Sequence, residues 1–440
     1  MSNISAVSRI TVLAVGIAGA LAFSQAHAAA FQLKENSAKA QGRAFAGSGS
    51  APDDAAIIAN NPAGMRLLDG RQFQIDASTI SFGAKFSGDA SYATGGAIGG
   101  GNGGDAGKIA VVPAAYFHQP FGENNNLHFG TSLTVPYGFE TKYDSNWAGR
   151  YSGIKTKLQA IDLSLAFSYD VNPYVSFGAS VFAERLDIDL SNAIDFGTAL
   201  YSGYGVSAPG AADGSLRIKA DNTELGYTLG GLFSIDENTN IGFSYRSAVK
   251  HKITGGDAYF TLPTAYAALL STTYPSQTTG NANLTLPAVA TASFFHRIDE
   301  RWSVMADVSR TAWSKFDEVN VVLKNGLVLP LEFNYRDTTF ASIGADYRLN
   351  ETVTLRGGLA YDQTPTTSEN RDVRVPDATR KWLSLGVSWA PSPKTEYNLG
   401  YTHLFTSDPS IDSTTSTYNT IVGSYEVTGD VLAASFNYKF

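Results

Sequence analysis

From about residue 71 onward this chain alternates. In Ala160–Tyr169, AIDLSLAFSY, the residues Ile161, Leu163, Leu165, Phe167 and Tyr169 fall on one face, and Asp162, Ser164, Ala166 and Ser168 fall on the other. Side chains of a strand point to opposite faces with period 2, so this spacing predicts a strand with one apolar face. The same pattern recurs over 71–83, 109–119, 127–142, 156–170, 174–191, 215–235, 239–254, 283–298, 301–324, 333–349, 352–363, 379–390, 394–405 and 429–440. Each stretch is long enough to cross a bilayer as a tilted strand, which takes about 9–11 residues. Fourteen is an even number, as a single-chain bacterial barrel requires. After residue 30 no apolar run approaches the roughly 18 residues of a membrane helix, which excludes a helical membrane protein.

The connections carry an independent signal. Asp170-Val171-Asn172-Pro173, Asp236-Glu237-Asn238, Asp299-Glu300 and Asn350-Glu351 are tight turns, and long links lie between them at 84–108, 143–155, 192–214, 255–282, 325–332, 364–378 and 406–428. Short turns at one end and long loops at the other describe an outer-membrane barrel with periplasmic turns and extracellular loops. The expected fold class is all-β: a fourteen-stranded antiparallel transmembrane β-barrel.

The N-terminus agrees with export. Arg9 precedes an apolar run, Ile10–Phe23, and Ala26-His27-Ala28 is an A-x-A cleavage site, so residues 1–28 are expected to be a signal peptide. Residues 29–70 show no alternation. They are expected to form a compact hatch inside the lumen, because fourteen strands enclose more space than wall side chains fill; residues 71–440 then form the barrel. The last strand, VLAASFNYKF, ends on Phe440 with aromatics at alternate positions, and resembles the C-terminal signal read by the barrel-assembly machinery. Outer-membrane lipid and lipopolysaccharide are the expected surroundings, and a monomer the expected state.

Composition excludes several chemistries. With no Cys there is no disulfide or Cys-zinc site, and the formal charge of −8 is scattered with no polybasic patch for nucleic acid. The six His show no metal spacing. The Gly-rich stretch 95–107 lacks the Lys-Ser/Thr ending of a phosphate loop. No Ser-His constellation emerges, so no enzyme, metal or cofactor is expected.

Four groups of residues carry the expected function. Strand three, LHFGTSLTVPYGFETKY, holds Pro136 and Gly138 in mid-strand; parity turns them inward, with Leu127, Phe129, Leu133, Val135, Tyr137 and Phe139 outward. Pro cannot donate to a ladder and Gly weakens one, so pairing should break there and leave either a lateral opening or a simple bulge. Parity also turns Arg246, Arg336, Arg356 and Arg380 inward, with Arg185 ambiguous; each is a candidate partner for a cargo carboxylate or for a wall acid. Tyr259, Phe260, Leu262, Tyr266, Leu269 and Leu270, with Trp147, are expected to line an extracellular apolar groove. Asp53 and Asp54 are read chiefly as anchors of the hatch to the wall.

These residues come with a resemblance. Ala29-Ala30-Phe31-Gln32-Leu33, Gly42-Arg43-Ala44, Asp53-Asp54-Ala55, Asn61-Pro62-Ala63, Pro136-Tyr137-Gly138, Thr311-Ala312-Trp313-Ser314 and the stretch Asp362–Trp382 resemble the FadL family of outer-membrane long-chain fatty acid transporters, whose neighbours TodX and XylN handle aromatic hydrocarbons. The resemblance covers the whole mature chain. It implies passive uptake of a fatty acid or another hydrophobic small molecule through a groove, a lumenal pocket and a wall opening, with Asn61, Pro62 and Ala63 in the hatch and Arg336 matching a lumenal basic residue. An aromatic or alkane hydrocarbon channel is the alternative in the same fold, and a general polar porin the alternative outside it.

Overall fold

The structure, a computed structural model, describes residues 30–414 and 419–440; the expected signal peptide lies outside the described residues. Fourteen wall strands follow one another: β1 (Gln72–Ser91), β2 (Ile109–Phe121), β3 (Leu127–Lys142), β4 (Lys155–Asn172), β5 (Val175–Asp195) and β6 (Asp213–Asp236) are continuous. The next four are each interrupted once: β7 (Thr239–Arg246 and Val249–Thr261), β8 (Gln277–Leu286 and Val289–Arg297), β9 (Trp302–Thr311 and Glu318–Leu323) and β10 (Val328–Glu332 and Thr338–Arg348). The wall ends with β11 (Val353–Asp362), β12 (Arg380–Ser392), β13 (Thr395–Thr406) and β14 (Thr420–Lys439). Every neighbouring pair is antiparallel, and β1 pairs with β14 from Gln72↔Lys439 to Ser91↔Thr420, which closes the barrel. Closure is obligatory in lipid, where an open edge leaves backbone groups unpaired at several kcal/mol each.

The period-2 pattern sorts the side chains as expected. Leu163, Leu165 and Phe167 of β4 and Leu225, Tyr227 and Leu229 of β6 are exposed on the outer face, while Asp162, Ser164 and Ala166 are buried on the inner one. The strands run further toward the loop end than the sequence reading placed them. β1 reaches Ser91, β7 reaches Thr261 and β14 starts at Thr420, with a short strand, Ser410–Thr414, folded against its upper end.

Residues 30–70 pack against the inner face of the wall. The helices Ala38–Gln41 and Ile57–Asn60 and the 3-10 turn Pro62–Leu67 are its only regular pieces among the described residues. Asn61 caps that turn, its side chain accepting from Ala63 N at 3.2 Å while Pro62 takes the first helical position. The Asn61 amide then donates to Gly49 O at 2.8 Å and to Gly231 O of β6 at 3.2 Å. Main chain meets main chain at Gly42 and Gly386: a Cβ on Gly42 would come within 2.8 Å of the Gly386 Cα, so only glycine fits this crossing. Asp53 joins the segment to the wall, 3.1 Å from Arg43 and 3.2 Å from Arg356 of β11, and Arg43 reaches Asp346 of β10 at 3.0 Å. Burial would raise the Asp53 carboxyl, but Arg43, Lys39 and Arg356 outweigh it and hold it well below the usual carboxylate range.

Candidate functional site

Among the described residues the ladder lapses between β2 and β3, β6 and β7, β8 and β9, and β9 and β10, and cavities lie on the inner side. The first unpaired stretch follows from Pro136. β2 and β3 pair from Phe121↔Leu127 to Ala115↔Leu133 and then part. Residues 109–114 stay with β1, and the upper half of β3 stays with β4. Between Thr134 and Tyr137 the β3–β4 register shifts, three steps on β3 opposing two on β4, which is a bulge. The bulge corrects the expected parity. Tyr137 pairs with Ala160 and Phe139 with Leu158, and both rings are buried inside the barrel rather than turned to lipid.

The freed edge of β3 is taken by the N-terminal segment. Leu33 N donates to Pro136 O at 2.8 Å, Gly138 N donates to Phe31 O at 2.9 Å, and Gln32 bridges to Tyr137. Phe31–Leu33 therefore lies along β3 where β2 is missing. Above it, Lys142 N donates to Ala106 O at 3.0 Å and closes the stretch.

The cavities stack on the inner side. At the loop end a cavity of about 590 Å³ is lined by Tyr151, Ile194, Leu216, Phe260, Tyr274 and Val321, among others. A small apolar cavity of about 50 Å³ shares Leu190, Ile218, Val321 and Leu331 with it. An aromatic cluster follows, in which Phe31 lies edge-on to Trp313 at 4.7 Å and Phe316 at 5.0 Å, with Tyr137 at 6.2 Å. Beside Pro136 a third cavity of about 120 Å³ is lined by Gln32, Leu33, Lys34, Val135, Tyr137 and Arg246, among others. Tyr137 belongs to both the cluster and this inner cavity, and Ile253 and Leu284 to both the cluster and the small one. The Phe31 ring thus stands between the outer cavities and the inner one.

Two cations face the inner cavity. Arg246 is matched by acids, 2.6 Å from Asp162 and 2.5 Å from Glu184, and lies 3.9 Å over the Phe182 ring. Lys34 is not matched: its Nζ sits 4.2 Å over the Phe340 ring and makes no ion pair among the described residues. Burial lowers its ammonium below the ordinary lysine range, with Asp362, Asp307 and Glu35 offsetting only part. Glu35 next to it is buried, and burial pushes its carboxyl up to about 7.

The sequence-derived candidates are dispersed. Arg356 is buried on the lumenal face, bound to Asp53 and 3.3 Å from Asp346, and Arg380 is held by Asp362 at 3.1 Å and Asp377 at 3.4 Å. Neither faces the inner cavity. Two placements are corrected. Arg185 lies on the outer face, half exposed, with Asp187 and Asp221, because the unbroken β5 register turns Glu184 inward instead. Arg336 is exposed in the break between the two parts of β10, where strand parity no longer applies; Phe333 and Tyr335 take the buried positions.

The expected groove is also partly rearranged. Phe260 lines the outer cavity, but Tyr259 sits opposite Arg217 on the other face of β7, not in a loop. Leu262, Tyr266 and Leu270 pack with Phe196 and Leu200 of the helix Phe196–Tyr204, and Leu269 stays exposed. Trp147 is buried, stacked 4.0 Å from Tyr143 in a separate loop core, so it does not line the groove. Asp54 accepts from Ala56 N at 3.0 Å and Gln74 Nε2 at 2.8 Å, deep in the N-terminal segment. Parity reasoning did not single out Phe31, Lys34 or the inward Tyr137. Nothing in the sequence sets Lys34 apart from Lys39 and Arg43 of the same run.

Known proteins share this architecture. The family model described as outer membrane protein transport protein (OMPP1/FadL/TodX) matches residues 19–440. A long-chain fatty acid transport protein of Escherichia coli O6:H1 is 30% identical over 412 residues, covering 90% of this chain and 91% of that one. The crystal structure of a Pseudomonas aeruginosa FadL homologue superposes with a TM-score of 0.88 at 26% identity, over 93% of this chain and 99% of that chain. A monoaromatic hydrocarbon channel, CymD, shares the fold at a TM-score of 0.65 and 20% identity, over 93% and 99% of the two chains.

Proposed function

The chain belongs to the OMPP1/FadL/TodX family of outer membrane transport proteins, and on that premise we propose that it carries long-chain fatty acids passively from the cell surface into the outer membrane. The acyl chain enters the outer cavity, passes the Phe31 cluster and reaches the inner cavity. It leaves sideways between β2 and β3, in the stretch now held by Phe31–Leu33. The residues 29–70 act as a hatch that stays in the barrel while its first residues move. Exit into lipid suits the cargo: each methylene moved into water costs about 0.8 kcal/mol, so release into the periplasm would be steeply uphill.

The observation that carries this reading is the inner cavity beside Pro136. It places an unmatched ammonium, that of Lys34, next to an unpaired piece of wall. A carboxylate arriving there supplies the missing counter-charge, and the charge-assisted contact is worth most in a dry site. Lys34→Met tests this. Binding of a fatty acid to the purified protein should weaken about tenfold, which is about 1.4 kcal/mol, while the alcohol of the same chain length binds as before. Equal losses for both ligands would remove the carboxylate role and favour a hydrocarbon cargo.

A further inference from the structure

Another unpaired stretch lies four strands further round the wall, between β6 and β7. The two strands pair from Asp236↔Thr239 to Thr228↔Arg246, and again from Lys219↔Asp257 to Ser215↔Thr261. Beyond a last backbone hydrogen bond, Ser247 N to Tyr227 O at 2.9 Å, residues 220–226 and 248–256 have no ladder between them, although β6 stays fully paired to β5 and Val249–Ile253 to β8. Side chains bridge the seam: Asn222 Nδ2 donates to Lys252 O at 3.2 Å, and Ser247 Oγ accepts from Tyr227 N at 3.0 Å. From inside, His251 holds Asn222 at 2.9 Å and Glu184 at 3.1 Å, and Glu184 holds Arg246, so the seam is shaped in advance.

Its outer face is cationic and sits at a defined height. Leu225, Tyr227 and Leu229 of β6 and Phe243 and Tyr245 of β7 are exposed apolar residues toward the periplasmic end. Just above them Lys250 and Lys252 are exposed between buried Val249, His251 and Ile253, and Lys219 is exposed on β6. None of the three lysines makes an ion pair among the described residues; of the nearby acids, Asp221 is 3.2 Å from Arg185, Asp257 stands opposite Lys219, and the Glu224 carboxylate accepts from Lys252 N at 3.5 Å. Unpaired backbone groups are not tolerated in hydrocarbon. This stretch therefore belongs to the headgroup layer of the outer leaflet, where its lysines meet anionic lipid.

We propose that the β6–β7 seam seats the phosphate of an outer-leaflet glycolipid headgroup, with Lys250, Lys252 and Lys219 as its cationic contacts. The test compares wild type with the Lys250→Gln/Lys252→Gln double variant, using native mass spectrometry in detergent. The probe is a bisphosphorylated lipid A, with its dephosphorylated form and inorganic phosphate as further arms. Wild type should retain the phosphorylated glycolipid about tenfold better than the dephosphorylated one, and the double variant should lose that preference. A variant that retains the glycolipid as well as wild type does would overturn the proposal. So would inorganic phosphate displacing the glycolipid at equal concentration, since the seat would then be for a free anion.

Discussion

Two interruptions of the barrel wall are filled in opposite ways. Between β2 and β3 the filling is main chain: Phe31–Leu33 runs along the free edge of β3, held by two backbone hydrogen bonds and by apolar and aromatic packing. Between β6 and β7, beyond the backbone hydrogen bond from Ser247 N to Tyr227 O, the filling is side chain: Asn222 and Glu224 bridge a seam whose inner face is fixed by Arg246, Asp162, Glu184 and His251. A short length of N-terminal chain can leave its edge without unfolding any strand. A buried ionic cluster cannot loosen without stranding charge. On the proposed reading, the same kind of fault in a sheet makes a door where the filler is a short length of main chain, and a fixed seat where it is a charged network.

Arg246→Ala attacks the fixed side of that contrast and should have the largest effect. It leaves Asp162 and Glu184 buried without their arginine, and losing one partner of a buried pair costs about 3–5 kcal/mol. The urea midpoint of the detergent-solubilised barrel reads this; an unchanged midpoint would mean that the ionic cluster does not hold the seam.

Phe31→Ala attacks the other side and should act on the path rather than on the barrel. Three aromatic contacts, to Trp313, Phe316 and Tyr137, are lost, each worth about 0.5–1.5 kcal/mol. Uptake of a fluorescent fatty acid should rise severalfold while the urea midpoint moves far less than in Arg246→Ala. The reverse ranking would mean that Phe31 is structural.

The smallest effect concerns pH. Glu35 has its carboxyl raised from 4.5 to about 7 by burial. A raised pKa means that its stabilisation is complete below about pH 4.5 and is lost as pH rises through about 7. The opening free energy read from amide exchange at residues 31–36, after correction for the intrinsic base-catalysed rate, should therefore fall between pH 6 and pH 8, with the barrel strands unaffected. Glu35→Gln should abolish the dependence, and an opening free energy that still falls in that variant would point to another titrating group.

Much of this architecture is legible in the sequence because lipid and lumen impose opposite chemistry on alternate residues. Leu163–Leu165–Phe167 against Asp162–Ser164–Ala166 is enough to orient β4. The same logic failed wherever the backbone lost phase. The bulge at Thr134–Tyr137 adds one residue to β3 and turns Tyr137 inward, and Pro136 marks the place but not the direction of the shift. The break at 333–337 leaves Arg336 exposed, since residues outside the ladder have no fixed face. The seam between β6 and β7 has no Pro to announce it, and its lysines read as ordinary strand-end charges. Lys34 was hidden for a different reason: an unmatched charge is visible only once all its neighbours are known.

The central claim is that Phe31–Leu33 must leave the β3 edge for cargo to pass. Gln32 and Tyr137 are directly opposed, flanked by the two backbone hydrogen bonds, which makes them a non-hydrogen-bonded antiparallel pair with Cα atoms about 4.5 Å apart. That spacing accepts a disulfide, and the chain has no other Cys to compete. Fatty acid uptake by cells carrying Gln32→Cys/Tyr137→Cys is the direct measurement. The account predicts that uptake stops when the pair is oxidised and returns on adding a reductant. Uptake at the same rate in the oxidised and reduced states would contradict it.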